Sequence, residues 1–373
     1  MLNRAGLTVL TLLIPAIVIE AGSAVVSRVL VHRLFSYESE FFENVHKNEF
    51  DRFVGSGFFD PQLGWNNPQQ PLETVRTNCA GNEIKYHYEH GARLTPGLVS
   101  GKEEIALFGE SYTFGEEVAD NLTIASVLTQ KYSLPAINYG VNAYGPLQAL
   151  EKFKSLHSNE RVFKTAVLII MHENVWRVVN SFKPVYFPAK SDYYFGLKPY
   201  VKNGRIVDLT YPGDYESFLA EASQRFKMDF WAKPERRFPY TLSLLRATKS
   251  NTFKAMLSGA VNGPFQDEYY TNEETVSALR TVLDEFVRYS DSLGIHPLVI
   301  FVPRNKASYR CTERFALSMN ERWHRQIAHE FTDPELDWHS YKNEKYAVQC
   351  HPSPYGYERI AGFVDRTFEK FAR

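Results

Sequence analysis

The chain has 373 residues, 44% of them hydrophobic and 14% aromatic, a composition that builds a sizeable core and excludes intrinsic disorder. A formal net charge of -1 gives no overall basic footprint, so nucleic acid is not an expected partner. Three cysteines, Cys79, Cys311 and Cys350, are too few for a disulfide framework, and the length suits one large α/β domain with accessories or two smaller domains.

Ala5 to Ile19 is a near-continuous apolar run, and after Glu20 the chain resumes as Ala-Gly-Ser-Ala-Val-Val before Arg28. The uninterrupted part is short of the ~20 residues a bilayer span needs. Counting on to Val26 supplies the length, at a cost of a few kcal/mol if Glu20 stayed charged in mid-bilayer. Two readings fit: an uncleaved anchor, or a signal peptide cut near Ala24, where Gly22 and Ala24 are the small residues cleavage wants. Arg4 on one side and Arg28 and Arg33 on the other leave orientation weakly specified. Residues 1–42 thus read as a membrane anchor or signal segment running into a juxtamembrane helix.

Residues 43–100 are rich in turn formers, aromatics and charge, and read as short strands and loops leading into the core. His87 and His90 stand three apart, but no Cys or carboxylate cluster in the sequence pattern completes a metal site, so a structural role is expected. From residue 101 the pattern is that of an α/β domain. Ile105 to Phe108 is a short apolar strand that breaks at Gly109, with Ser111 two residues later in Gly-Glu-Ser-Tyr-Thr-Phe-Gly. From Glu116 a helical period follows in Val118, Leu122, Ala125 and Leu128. A serine on a strand-to-helix turn is held with its hydroxyl exposed near the positive end of the next helix, as a nucleophile needs.

A second apolar run reaches Gly140 and is followed by a helix from Pro146. Ala166 to Met171 reads as a buried strand of the kind parallel sheets use, ending in His172-Glu-Asn174-Val. An Asn amide there can donate to a developing negative charge, or can simply cap a helix. Residues 180–265 interrupt the alternation with a hairpin turning at Asn203-Gly204, then Trp231, Arg236, Arg237 and Tyr240. They read as an insertion beside the site, either stacking on sugars and acyl chains or packed by its own aromatics. A helix from Glu273 to Leu293, a strand from Pro297 to Val302, and a helix from Cys311 to Phe331 follow. Cys350-His351-Pro-Ser-Pro-Tyr-Gly356 then leads into a C-terminal helix.

Taken together, Gly-Glu-Ser111, the glycine at 140, the strand ending at Asn174 and His351-Pro-x-x-x-Gly356 resemble, in order and spacing, the blocks of the SGNH (GDSL-like) hydrolase family. The resemblance spans roughly Glu103 to Lys370. It implies a three-layer α/β sandwich with a parallel sheet, flavodoxin-like, and acyl-ester chemistry through a Ser111 acyl-enzyme with His351 as base. The oxyanion would be held by the N–H groups of Ser111 and Gly140 and the amide of Asn174, with no cofactor and no metal. Related proteins act on acylated surface glycans, as hydrolases or O-acyltransferases, so a glycan or small ester is the expected substrate and an envelope polysaccharide assembly the expected setting. The domain would face the periplasm or the exterior.

Four positions depart from the family pattern. Glu110 replaces Asp, His172 replaces Gly, Val175 replaces Asp, and Val348 stands where the histidine's orienting Asp belongs. Asp337 or Glu344 could fold back to orient His351, or a backbone carbonyl could serve. A catalytically degenerate protein that binds a glycan or a protein partner is the rival reading. Cys311 and Cys350 flank the last block, and one bridge between them or three thiols both fit.

Overall fold

The computed structural model describes residues 4–99, 101, 104–157, 163–186, 194–262, 270, 272–303, 306–333, 347–348 and 351–372. These form two compact units: one from residues 1–52, 180–197 and 211–265, the other from 53–179, 198–210 and 266–373.

The second unit is built on an eight-stranded sheet. Its strands are β1 (Leu72–Thr77), β2 (Glu83–Glu89), β3 (Ala92–Arg93), β4 (Ile105–Phe108), β5 (Ala136–Asn138), β6 (Thr165–Met171), β7 (His296–Val302) and β8 (Ala328–Glu330), in the spatial order β8-β7-β6-β4-β5-β3-β2-β1. The five strands from β8 to β5 are parallel. The three at the other edge are antiparallel. The sheet is therefore mostly parallel, as expected, with an antiparallel edge. Residues 72–93, read as a lead-in, extend it: Ile84, Tyr86 and Tyr88 alternate inward along β2 and pack on Phe114.

The parallel strands are apolar on both faces because helices cover both. Ile105, Leu107, Val167, Ile169, Leu298 and Ile300 share one core with α6 (Ile124–Lys131) and α14 (Pro354–Ala372). On the other face Phe108 meets Phe153 of α7 (Pro146–His157), which meets Phe286 of α12 (Glu273–Ser292). Three layers result. α6 starts at Ile124, capped by Thr123 Oγ1, and not at Glu116. Similarly α13 (Lys306–Trp323) stops short of Phe331, since Asn320 accepts the N–H groups of Ile327 and Ala328 and launches β8. The Asn203-Gly204 turn joins Tyr200–Lys202 to Arg205–Val207 as an antiparallel hairpin.

The other unit assembles the N-terminal segment with most of the insertion. Its helices are α1 (Arg4–Val29), α2 (Val31–Leu34), α3 (Glu38–Asn44), α4 (Lys47–Val54), α8 (Lys183–Tyr186), α9 (Tyr215–Met228), α10 (Tyr240–Ala247) and α11 (Asn251–Asn262). Phe41 and Phe50 from the N-terminal side pack edge-on against Phe182 and Phe195 and at a tilt against Phe226 and Phe218 from the insertion. Asp229 accepts the N–H groups of Ser181 and Phe182, tying the start of the insertion to the end of α9. These rings and Trp231 are buried; they are core, not stacking surfaces for a sugar. Cys79 is exposed and Cys311 buried, while Cys350 lies outside the described residues.

Candidate active site

Ser111 is the first residue of α5 (Ser111–Phe114), a single turn directly after β4. The approach to it needs glycine at two points. A Cβ on Gly109 would lie 2.2 Å from Thr113 Oγ1 and 2.5 Å from the Ile169 carbonyl. One on Gly140 would lie 2.3 Å from the Phe114 nitrogen. The loop after β5 therefore presses directly on the backbone of the serine turn.

His351 comes from a separate, two-residue strand pair in which it stands opposite Val348. Its Nε2 lies 3.1 Å from Ser111 Oγ. This joins two side chains 240 positions apart in sequence, within the reach expected of a nucleophile and its base. The ring also stands edge-on to Tyr112 at 5.9 Å. The expected pair is thus assembled. Of the expected orienters, Asp337 and Glu344 lie outside the described residues, and Val348 carries no polar atom to take their place.

A carboxylate that the sequence reading passed over does reach the histidine. Glu116 Oε2 lies 3.2 Å from His351 Nε2. Gly115 closes the serine turn in the left-handed conformation, so the chain doubles back and the Glu116 N–H donates to the Ser111 carbonyl at 3.0 Å. The Tyr357 hydroxyl donates to the Glu116 carbonyl. Arg93, buried on β3, secures the same loop: its guanidinium donates to the carbonyls of Phe114, Gly115 and Val118 and pairs with Asp120 at 2.8 Å. On the far side of Asp120, His87 bridges to Glu73. Asp120 holds the His87 pKa above its ordinary value. His87 is therefore part of a structural ion-pair chain, and among the described residues no cluster of His, Cys, Asp and Glu could hold a metal.

The oxyanion donors divide. Asn174, in the turn His172–Val179 that ends β6, is fully buried, and its amide makes no hydrogen bond of normal geometry. Ser111 N–H opens its turn, where first-turn donors have no acceptor within the helix. Gly140 departs from expectation: its N–H donates to Asn138 Oδ1 at 3.0 Å, and its carbonyl accepts from Asn67. Its contribution is the close approach, not a ready donor.

Glu110 precedes the serine with its carboxyl fully buried, accepting the Met171 N–H at 3.3 Å. Burial pushes its pKa up to about 7, against the opposing pull of Arg177 and the nearby Asn174 amide. His172, in the place of a family glycine, is buried and stacks on Tyr270 at 4.9 Å.

No family model matches the chain, and no curated protein matches it. Among solved structures it is similar to a lipolytic protein of the G-D-S-L family from Desulfitobacterium hafniense, at 10% identity and a TM-score of 0.36, covering 71% of this chain and 99% of that one. It is also similar to the esterase EstA from Pseudoalteromonas sp., at 9% identity and a TM-score of 0.34, covering 72% and 99%. A carbohydrate esterase aligns at 10% identity and a TM-score of 0.35, covering 76% and 70%. Likeness at this level leaves the site's own geometry to decide its chemistry.

Proposed function

We propose that this chain is an SGNH-type serine esterase in which Ser111 is the nucleophile and His351 the general base. The observation that carries the reading is the 3.1 Å contact between Ser111 Oγ and His351 Nε2, formed on a strand-to-helix turn beside the buried Asn174 side chain. Oγ attacks the ester carbonyl as its proton passes to Nε2, and the carbonyl oxygen gains a negative charge that Ser111 N–H and Asn174 Nδ2 can stabilise. Collapse expels the alcohol, which takes the proton from Nε2, and leaves Ser111 acylated. Water then releases the acid. A sugar hydroxyl in place of water would make the same acyl-enzyme an O-acyltransferase.

The substrate class we favour is an acyl ester on an envelope glycan, handled by a chain held at the membrane through α1. The support for that setting is the apolar helix α1, bare from Leu12 to Ile19.

The test is labelling by a serine-reactive fluorophosphonate together with hydrolysis of a short-chain aryl ester. Wild type should label and hydrolyse, and Ser111→Ala and His351→Ala should do neither while melting normally. Undiminished labelling of Ser111→Ala would remove the nucleophile assignment. Glycan binding by an unlabelled wild type would favour the binding protein instead.

A further inference from the structure

Glu20, the one acidic residue of the apolar N-terminal helix, has a defined job. Its carboxylate accepts the backbone N–H groups of Tyr240 and Thr241 and the Thr241 hydroxyl, satisfying first-turn donors of α10. Thr241 Oγ1 also meets Ser23 Oγ at 2.9 Å, and Arg236 Nε donates to Ser27 Oγ at 2.9 Å while its guanidinium lies over the Tyr240 ring. From Glu20 to Ser27, then, α1 is clamped to the start of α10. N-terminal to the clamp α1 is bare, with Leu12 70% and Val18 63% exposed.

The element held by that clamp is strongly two-sided. Leu244 and Ala247 of α10 pack inward with Phe253 and Met256 of α11 on Leu34 and Phe35. Outward, Phe238 is 74% exposed, Leu242 43%, Leu245 59% and Leu257 55%. Between residues 236 and 266 the chain carries Arg236, Arg237, Arg246, Lys249 and Lys254 and no acidic residue, although the whole chain is near neutral. Arg237 pairs with Glu235 and Arg236 belongs to the clamp, which leaves the exposed Arg246, Lys249 and Lys254. Exposed large apolar side chains interleaved with such cations are the signature of a helix that lies in a membrane interface.

We infer that α10 and α11 rest on an anionic bilayer surface. Phe238, Leu242, Leu245 and Leu257 enter the headgroup–acyl boundary, Arg246, Lys249 and Lys254 meet lipid phosphates, and the Glu20 clamp fixes the pair where α1 leaves the membrane. Two observations select lipid over a protein partner. The apolar face is continuous in kind with α1, whose Val25 and Val29 are bare at the level of the clamp. The exposed cations of the pair, Arg246, Lys249 and Lys254, are matched to anionic headgroups. A further consequence is that α1 is retained, because cleavage near Ala24 would remove the Glu20 cap from α10. None of this depends on the esterase chemistry.

The experiment uses the full chain with Cys79, Cys311 and Cys350 replaced by Ser. An environment-sensitive fluorophore is attached at Leu245→Cys or, as control, at the exposed Gln224→Cys on α9. In vesicles of phosphatidylcholine and phosphatidylglycerol, position 245 should shift to the blue and be quenched by nitroxide-bearing lipid, with position 224 unaffected. The shift should shrink in phosphatidylcholine alone and in Arg246→Glu/Lys249→Glu/Lys254→Glu, which should stay vesicle-bound through α1 and retain native circular dichroism. Equal water exposure at 245 and 224 would overturn the inference. So would shielding of 245 that appears in detergent and rises with protein concentration, which would point to a second copy. Recovery from membranes of a chain whose mass lacks the first 24 residues would overturn it as well.

Discussion

His351 Nε2 is shared between two partners, Ser111 Oγ at 3.1 Å and Glu116 Oε2 at 3.2 Å. The two make opposite demands. Under the proposed mechanism the ring gains a positive charge as it takes the serine proton, and the Glu116 carboxylate stands where it can stabilise that charge but also competes with Ser111 for the same nitrogen. Glu116→Gln should lower kcat by roughly tenfold with little change in KM. An unchanged kcat would mean the contact has no electrostatic weight.

What was legible in the sequence and what was not follows from how local each signal is. β4, β6 and β7 stand out as runs of apolar residues, and Ser111 and Asn174 follow two of them. His351, by contrast, stands in a two-residue strand with no such run before it and is picked out in the sequence only by the family resemblance of His-Pro-x-x-x-Gly. Glu116 was missed because the periodicity of Val118 to Leu128 reads straight through it; only the left-handed Gly115 turns it back toward the serine. Gly140 is expected from the family resemblance as an N–H donor, and the Asn138 side chain that occupies that N–H lies two residues away with no pattern to flag it. The pairing of β3 with β5 through Arg93 and Asn138, and the packing of residues 180–265 on the N-terminal helices, are long-range, and no local periodicity encodes them.

Asn174→Ala separates an oxyanion donor from a structural amide. A structural amide leaves its partners unpaired when removed and destabilises the protein. This amide is buried beside the Glu110 carboxyl but makes no hydrogen bond of normal geometry, so its loss should change the melting temperature little. Its loss as a transition-state donor should lower kcat by about 10²-fold with little change in KM. A fall in stability with kcat intact would reassign it to the fold.

Gly140→Ala tests the contact between the β5 loop and the serine turn. The new Cβ would sit 2.3 Å from the Phe114 nitrogen and 2.6 Å from the Thr113 carbonyl carbon, atoms of backbone that Arg93 and Asn138 also hold. Neither side can yield cheaply, so the cost should be about 1–3 kcal/mol. Fluorophosphonate labelling should slow as the Ser111 turn is displaced from His351. A substitution without effect on either measurement would mean that the two segments do not touch.

Glu110 offers the clearest dependence on pH. Its folded-state pKa of about 7 lies above the ordinary 4.5 because burial disfavours the anion. The folded chain therefore holds this proton more tightly than the unfolded one. Its contribution to stability is greatest below pH 4.5, declines as pH rises toward 7, and is spent above that, a span of about 3 kcal/mol. His87, raised by its hydrogen bond to Asp120, pulls in the same direction, so the diagnostic quantity is the difference between wild type and Glu110→Gln. The amide keeps the shape and an acceptor for the Met171 N–H but cannot ionise. Relative to wild type, the variant should be better placed at pH 8 than at pH 5 by about 1–3 kcal/mol, read from denaturant unfolding of the full chain in the same detergent at both values. A difference that stays constant across that range would show that Glu110 does not change its proton occupancy on folding.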